Sequence, residues 1–282
     1  MELNTTWLGR AIEMALEEDV GLGDVTTQAT VPVDAEGTGR MWAKEPGVIA
    51  GLEVAAAVFE WLSPEVEFIP LVEEGASVEA GDSLATIEGD LRAILTGERT
   101  ALNFIQRLSG VATQTSGLVT AIAGTGVQVI DTRKTTPGLR MLEKYAVSLG
   151  GGANHRWALD SGVLIKDNHI IAAGGVTQAL EAARATAPHS LSLEIECKEL
   201  IQVQEAIDAG ADIVMLDNMR GDILREALKT VNGQCKVEVS GGITLENIRE
   251  VALPGVNWIS VGALTHSVKA IDISLDISEV SS

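Results

Sequence analysis

The chain is poor in several things, and each shortage closes off a class of function. It has two cysteines, Cys197 and Cys235, far apart and in no C-x-x-C or Cys/His cluster, so neither a disulfide framework nor a zinc site is indicated and a reducing, cytoplasmic setting is expected. Aromatic residues make up only 3% of the chain, too few for a surface that stacks bases. Positive charge is scarce, with 20 Lys and Arg against 40 Asp and Glu for a net charge of −20. Nucleic acid and anionic membrane are therefore not expected as partners, because both need an extended basic face. The longest apolar stretch, Val48 to Leu62, is interrupted by Glu53 and Glu60 and is no membrane span. The N-terminal residues are acidic, with Leu8, Ala11, Ile12, Ala15 and Leu16 at helical spacing, which describes an amphipathic helix rather than a cationic signal peptide. Residues 72–84 resemble the hairpin of lipoyl- or biotin-carrying domains. No lysine lies between Lys44 and Lys134, so a carrier would have nowhere to attach its cofactor.

What is present suits a large α/β protein. With 282 residues and 46% apolar content, a sizeable core can form. Up to about Glu88, short alternating runs separated by Pro and Gly give strand character at Gly39–Ala43, Val66–Ile69 and Ser83–Ile87, with a helix over Leu52 to Leu62. From Leu91 to about Ile122 the pattern is helical, and Ser109-Gly110 is expected to break it in two. Beyond that point strands and helices alternate. Six strands are expected, from Val127, Ser161, Ser192, Ile213, Lys236 and Trp258, with helices over Val176–Ala185, Leu200–Ala209, Asp222–Val231 and Leu245–Val251. This is the repeat of βα units closing into a barrel, two strands short of eight. The alternating Ile271–Ile277 segment should return to the first half. The expected division is 1–108 plus 268–282 for the N-terminal domain and 109–267 for the barrel.

Residues 127–169 form a cationic island, with Arg133, Lys134, Arg140, Lys144, Arg156 and Lys166 against Asp131, Glu143, Asp160 and Asp167. In so acidic a protein this calls for a small, multiply anionic ligand. Barrels keep reactive groups at the C-terminal ends of their strands. Here those ends read Arg133-Lys134, Lys166, Glu196, Asp217-Asn218, Ser240-Gly241-Gly242 and Gly262, with cations first, carboxylates next and glycine turns last. Two glycine turns at the spacing of adjacent strands make a phosphate cup. Glu196 and Asp217, ending neighbouring strands, could hold Mg²⁺, unless one of them is a salt-bridge partner for a lysine, a role Glu194 on the same strand face could also take. Arg133, Arg156 and Lys166 can clamp carboxylate or phosphate. Arg140 and Lys144, four apart on a helix, are expected to be solvated. His155 follows Gly150-Gly-Gly152, a loop able to bring backbone close to a ligand, and His169 is balanced between a supporting role and a contact.

Several longer motifs resemble the quinolinate phosphoribosyltransferase family. They are Asp131-Thr-Arg-Lys-Thr-Thr-Pro-Gly-Leu-Arg140, Gly150-Gly-Gly-Ala-Asn-His-Arg156, Leu164-Ile-Lys-Asp-Asn-His169, Glu98-Arg-Thr-Ala-Leu-Asn103, Leu108-Ser-Gly-Val-Ala-Thr113, Val239-Ser-Gly-Gly-Ile243 and Leu264-Thr-His-Ser267. The likeness runs from Glu18 to His266. It implies an α/β-sandwich domain joined to an incomplete, TIM-like α/β barrel. The implied reaction converts quinolinate and 5-phosphoribosyl 1-pyrophosphate into nicotinate mononucleotide, pyrophosphate and CO₂ with Mg²⁺. The implied assembly is a homodimer, or a higher oligomer of it, with a shared active site that takes Arg99 from the partner. By motif position Arg133, His155, Arg156 and Lys166 would hold quinolinate, with help from Arg99 and Lys134. Glu196 and Asp217 would hold ribose and metal, and Ser240, Gly241, Gly242 and Gly262 would hold phosphate, with His266 and Lys269 near the same end. Lys134, Lys166, Glu196 and Asp217 are the implied catalytic group. Where the family commonly has Met-Gly after His155-Arg156, this chain has Trp157-Ala158. Other readings of the residues are a transferase for nicotinate or another small acid, a Schiff-base barrel aldolase using Lys166, and a metabolite-binding protein without turnover.

Overall fold

A computed structural model describes residues 5–281. The elements run α1 (Thr5–Val20), α2 (Val25–Thr30), β1 (Glu36–Ala43), β2 (Gly47–Val48), α3 (Leu52–Leu62), β3 (Glu67–Pro70), β4 (Ser77–Val78), β5 (Ser83–Asp90) and α4 (Leu91–Ala121). Next come β6 (Gln128–Ile130), α5 (Arg140–Leu149), β7 (Val163–Ile165), α6 (Asp167–Ala173), α7 (Val176–Thr186), β8 (Leu193–Cys197), α8 (Leu200–Asp208) and β9 (Ile213–Asp217). The chain ends with α9 (Gly221–Val231), β10 (Lys236–Ser240), α10 (Ile248–Val251), β11 (Trp258–Ser260), α11 (Ala263–His266) and β12 (Ile273–Ser281). Two compact units result, one of Met1–Ser116, Thr136–Gly151 and Val268–Ser282, the other of Gly117–Thr135 and Gly152–Ser267.

The first unit is built on a four-stranded sheet in the order β12-β1-β5-β3. Its strands are antiparallel, and the C-terminal strand returns to pair with β1 from Ala43↔Ile273 to Glu36↔Ser281. Met41, Ala43, Leu84 and Ile87 are buried, as are Val54, Val58 and Phe59 of α3. Phe59 also stacks on Phe68 of β3.

Two expectations are corrected here. Helix α4 runs unbroken through Ser109-Gly110. A Cβ on Gly110 would overlap the Lys269 carbonyl, so this glycine permits a close backbone approach. Ser109 Oγ accepts the Ala50 N–H at 3.0 Å. The pair is a packing feature on an intact helix. On α5, Lys144 and Glu143 are fully buried rather than solvated. Glu143 accepts from the Arg107 guanidinium at 2.6 Å and from Thr136 N at 3.0 Å, so the helix packs with its charged side inward and compensated.

The second unit holds the six expected strands, all parallel, in the order β6-β11-β10-β9-β8-β7. Ala153 adds a parallel bridge to Ile130 beside β6. The alternation of side chains sorts the strands into two faces. Ile195, Cys197, Val214, Leu216, Val237 and Val239 are buried to within 1% and make the apolar layer. The alternate positions, among them Leu164, Glu196, Met215, Asp217, Glu238, Ser240 and Ser260, line a cavity. The parallel register levels their ends, pairing Ser240 with Asp217 and Ser260 with Ile130.

Candidate active site

The cavity encloses about 600 Å³ at the C-terminal ends of the strands and collects Thr132, Arg133, Lys134, His155, Arg156 and Lys166. Among the described residues none of Arg133, Lys134, Arg156 or Lys166 makes an ion pair with a carboxylate. Arg156 is half-buried, and both its burial and the nearby Arg133 push its pKa down. One of its N–H groups, on Nη1, is given to Gly162 O at 2.8 Å. Arg133 Nε is buried with no acceptor. Glu194 offsets the downward push on Arg156 only in part, so the adjacent guanidiniums favour the arrival of an anion.

Opposite them, Glu196 lies at the end of β8 and Asp217 at the end of β9. Burial raises the Glu196 pKa, Asp217 raises it further, and Lys166 and Lys198 pull it back. Two carboxylates that resist joint ionisation form an all-oxygen donor pair suited to a divalent cation. Lys198, which no sequence signal marked, reaches Asp167 at 2.7 Å and Glu196 at 3.9 Å.

Deeper in the unit, His155, Glu194 and Glu238 lie together, with one ligand-type atom of each within 4.8 Å of the others. Such a buried group could hold a divalent metal. Its hydrogen bonds fit an ion less well. His155 Nδ1 accepts the Arg156 N–H at 2.6 Å, which leaves the ring proton on Nε2, 3.1 Å from Glu194 and 3.5 Å from Glu238. A metal-bound imidazole would instead donate from its other nitrogen. Burial and then Glu194 push the Glu238 pKa well up. Glu194, read from the sequence as a lysine's partner, serves the histidine instead.

The loop carrying His155 is braced by fully buried Asp131, which accepts from His155 N at 2.9 Å and Asn154 Nδ2 at 2.7 Å. Gly150, at the head of that loop, packs closely on α4. A Cβ there would overlap the Ala112 carbonyl on α4, so its role is packing. His169 takes the supporting role, with Nδ1 accepting the Lys166 N–H at 2.9 Å.

Ser240, Gly241 and Gly242 line the cavity, and both glycines are left-handed, at φ +89° and +57°. The helix after them is shorter than expected, because residues 244–247 form a turn and only Ile248–Val251 is helical. Gly262 does not line the cavity. A Cβ there would come within 3.1 Å of both the His266 ring and the Lys134 side chain. Thr265 Oγ1 donates to Lys134 O at 2.7 Å, so the end of β11 packs on the Lys134 backbone and His266 stands beside it. Lys269 pairs with Glu45 at 3.2 Å in the first unit. Arg99 lies on α4 in that unit.

Sequence reasoning missed Glu238 and Ser260, which line the cavity, and Arg220, which donates to Gly241 O. The usable signal was the charge in the middle of Lys236-Val-Glu-Val-Ser240, since a carboxylate inside a core strand rarely goes unused.

Two family models match the chain: "Quinolinate phosphoribosyl transferase, N-terminal domain" over residues 24–109 and "Quinolinate phosphoribosyl transferase, C-terminal domain" over residues 111–276. A Synechocystis protein described as a probable nicotinate-nucleotide pyrophosphorylase (carboxylating) is 46% identical over 269 residues, covering 94% of this chain and 91% of that one. A Bacillus subtilis protein of the same description is 43% identical over 276 residues, covering 98% and 95%. The crystal structure of NadC from Streptococcus pyogenes superposes with a TM-score of 0.95 at 39% identity, covering 100% of this chain and 99% of that one.

Proposed function

Because the chain belongs to the quinolinate phosphoribosyltransferase family, we propose that its cavity transfers the phosphoribosyl group of 5-phosphoribosyl 1-pyrophosphate to quinolinate with loss of CO₂, giving nicotinate mononucleotide and pyrophosphate. The observation that carries this reading is four cations in one cavity that make no ion pair among the described residues, together with two carboxylates that repel each other. A dianionic acid and a phosphorylated, pyrophosphorylated sugar must be brought together, and only fixed positive charge offsets their repulsion. The nicotinate-transferase, aldolase and binding-protein readings give way to the family assignment.

Arg133, Arg156 and Lys166 hold the two carboxylates of quinolinate, with His155 fixing the backbone of Arg156. Lys134 and the N–H groups of the Ser240–Gly242 turn receive the phosphates of the donor, next to Gly262 and His266. Glu196 and Asp217 orient the ribose and would hold Mg²⁺, which would supply positive charge to stabilise the departing pyrophosphate. The ring nitrogen then attacks the anomeric carbon through an oxocarbenium-like state. In the resulting cationic ring the bond to the neighbouring carboxylate breaks, the electron pair stays on the ring carbon, and that carbon takes up a proton. Neither step needs a covalent nucleophile on the protein.

The proposal extends to a homodimer in which Arg99 of the partner subunit completes each site, supported by the resemblance of its motif. It also extends to a cytoplasmic setting, supported by two free cysteines. No helix among the described residues is long and apolar enough to cross a membrane. The test is CO₂ release from carboxyl-labelled quinolinate, expected only when donor and Mg²⁺ are both present. Release without the donor, or equal turnover of nicotinate, would overturn the assignment.

A further inference from the structure

Three successive carbonyls of the glycine turn after β10 are held from outside the turn. Ser240 O accepts from Asn218 N at 3.0 Å, Gly241 O from the Arg220 guanidinium, and Gly242 O from Asn247 Nδ2 at 2.9 Å. In a trans peptide the carbonyl and the following N–H point in opposite directions, and the described residues include no cis bond. Capturing those carbonyls therefore turns the N–H groups of Gly241, Gly242 and Ile243 the other way. Among the described residues none of these three N–H groups has a protein acceptor. Consecutive free N–H groups on a left-handed turn form an anion-binding concavity.

The residues doing the holding carry marks of that task. Arg220 is a half-buried cation whose pKa burial pushes down and Asp217 pushes back up. It makes no ion pair among the described residues, and gives its other recorded hydrogen bond to Met219 O at 2.7 Å. Asn247 is held in place by accepting Thr244 N at 2.9 Å through Oδ1. Asn218 sits at φ +58°, a region that Asn tolerates better than most residues. It donates to Asp217 Oδ2 at 3.0 Å, and its amide lies where a Cβ on Gly241 would be.

We propose that Arg220 and Asn247 are positioning residues for the phosphoribosyl donor, holding the Gly241 and Gly242 carbonyls so that the turn's N–H groups converge on a phosphate of that substrate. This rests on the function proposed above, and a wild-type enzyme that ignores the donor would sink that function whatever the variants do. The experiment measures KM for donor and for quinolinate in the full-length protein with Mg²⁺, for Arg220→Met, Arg220→Lys and Asn247→Ala, together with calorimetric binding of inorganic pyrophosphate. Arg220→Met should raise the donor KM about tenfold or more, the scale of losing a charge-assisted hydrogen bond, and weaken pyrophosphate in parallel. The quinolinate KM should stay within about twofold, since its clamp lies on other strands. Arg220→Lys should recover much of the loss, because one donor suffices for the Gly241 carbonyl. Asn247→Ala should show a smaller change in the same direction. Equal rises in both KM values, or no change in either, would overturn the proposal. If Arg220→Met does not fold, Asn247→Ala decides by the same criterion.

Discussion

Replacing Arg156 by Met separates binding from folding, because the same charge that is needed by the substrate is a burden to the free protein. With quinolinate bound, deleting one partner of a desolvated charge pair costs about 3–5 kcal/mol. Arg156 is only half-buried, so roughly half of that, about 2 kcal/mol, should survive solvent screening, which is about thirtyfold in affinity. In the free protein the loss of the hydrogen bond to Gly162 O costs about 1 kcal/mol. Removing a cation that burial and Arg133 disfavour, and that Glu194 favours only in part, returns a comparable amount, on the order of 1 kcal/mol. Stability should therefore change by less than about 1 kcal/mol, no more than a few degrees in Tm. Steady-state kinetics at saturating donor should show the quinolinate KM or Kd rising by about ten- to a hundredfold, with the donor KM within about twofold. An unchanged quinolinate affinity in a folded variant would refute the clamp. So would a large loss of stability, since it would make Arg156 a structural residue.

Glu196→Gln and Asp217→Asn should impair use of the donor and Mg²⁺ while leaving quinolinate binding largely intact; calorimetric loss of all quinolinate binding would contradict the division of the site. Mixing Arg99→Ala chains with Arg133→Ala chains should restore activity in heterodimers, which contain one site free of both changes, and no recovery after demonstrated subunit exchange would place Arg99 in its own chain's site or in none. Glu238 has a raised pKa in the folded protein, so between the ordinary carboxylate value and that raised value the native state holds a proton the unfolded chain has released. Stability must then fall as pH rises through the window, by up to about 1.4 kcal/mol per pH unit. Glu238→Gln cannot ionise and should remove that part of the slope, gaining on the wild type in urea titrations as pH rises above the ordinary carboxylate range; identical slopes would show that Glu238 does not titrate there.

The barrel was legible because its strands are apolar runs that end in polar groups, and period and punctuation survive without an alignment. Strand β9 begins and ends where the sequence pattern puts it, at Ile213 and Asp217. What misled was glycine and charge read locally. Ser109-Gly110 looks like a helix break until the backbone at Lys269 is seen against it. Gly150 looks like a ligand loop until α4 is seen there. Arg140 and Lys144 have the spacing of a solvated pair, yet Lys144 is fully buried. For the two glycines the deciding neighbour is remote in sequence, and no window along the chain contains it.

The same limit explains why the cations of the site could be found from sequence and their support could not. Arg133, Arg156 and Lys166 stand out because positive charge is scarce in a chain at net −20. Carboxylates are common, so Glu194 and Glu238 carry no such contrast, although they sit beneath His155 and help to fix its ring. Rarity marks the groups proposed to meet the ligand. The groups that hold them are marked by burial, and burial belongs to the fold. A carboxylate such as Glu238, nearly inaccessible and beside another carboxylate, is retained at a cost to stability, and what it returns is the orientation of the histidine and, through Nδ1, of the Arg156 backbone.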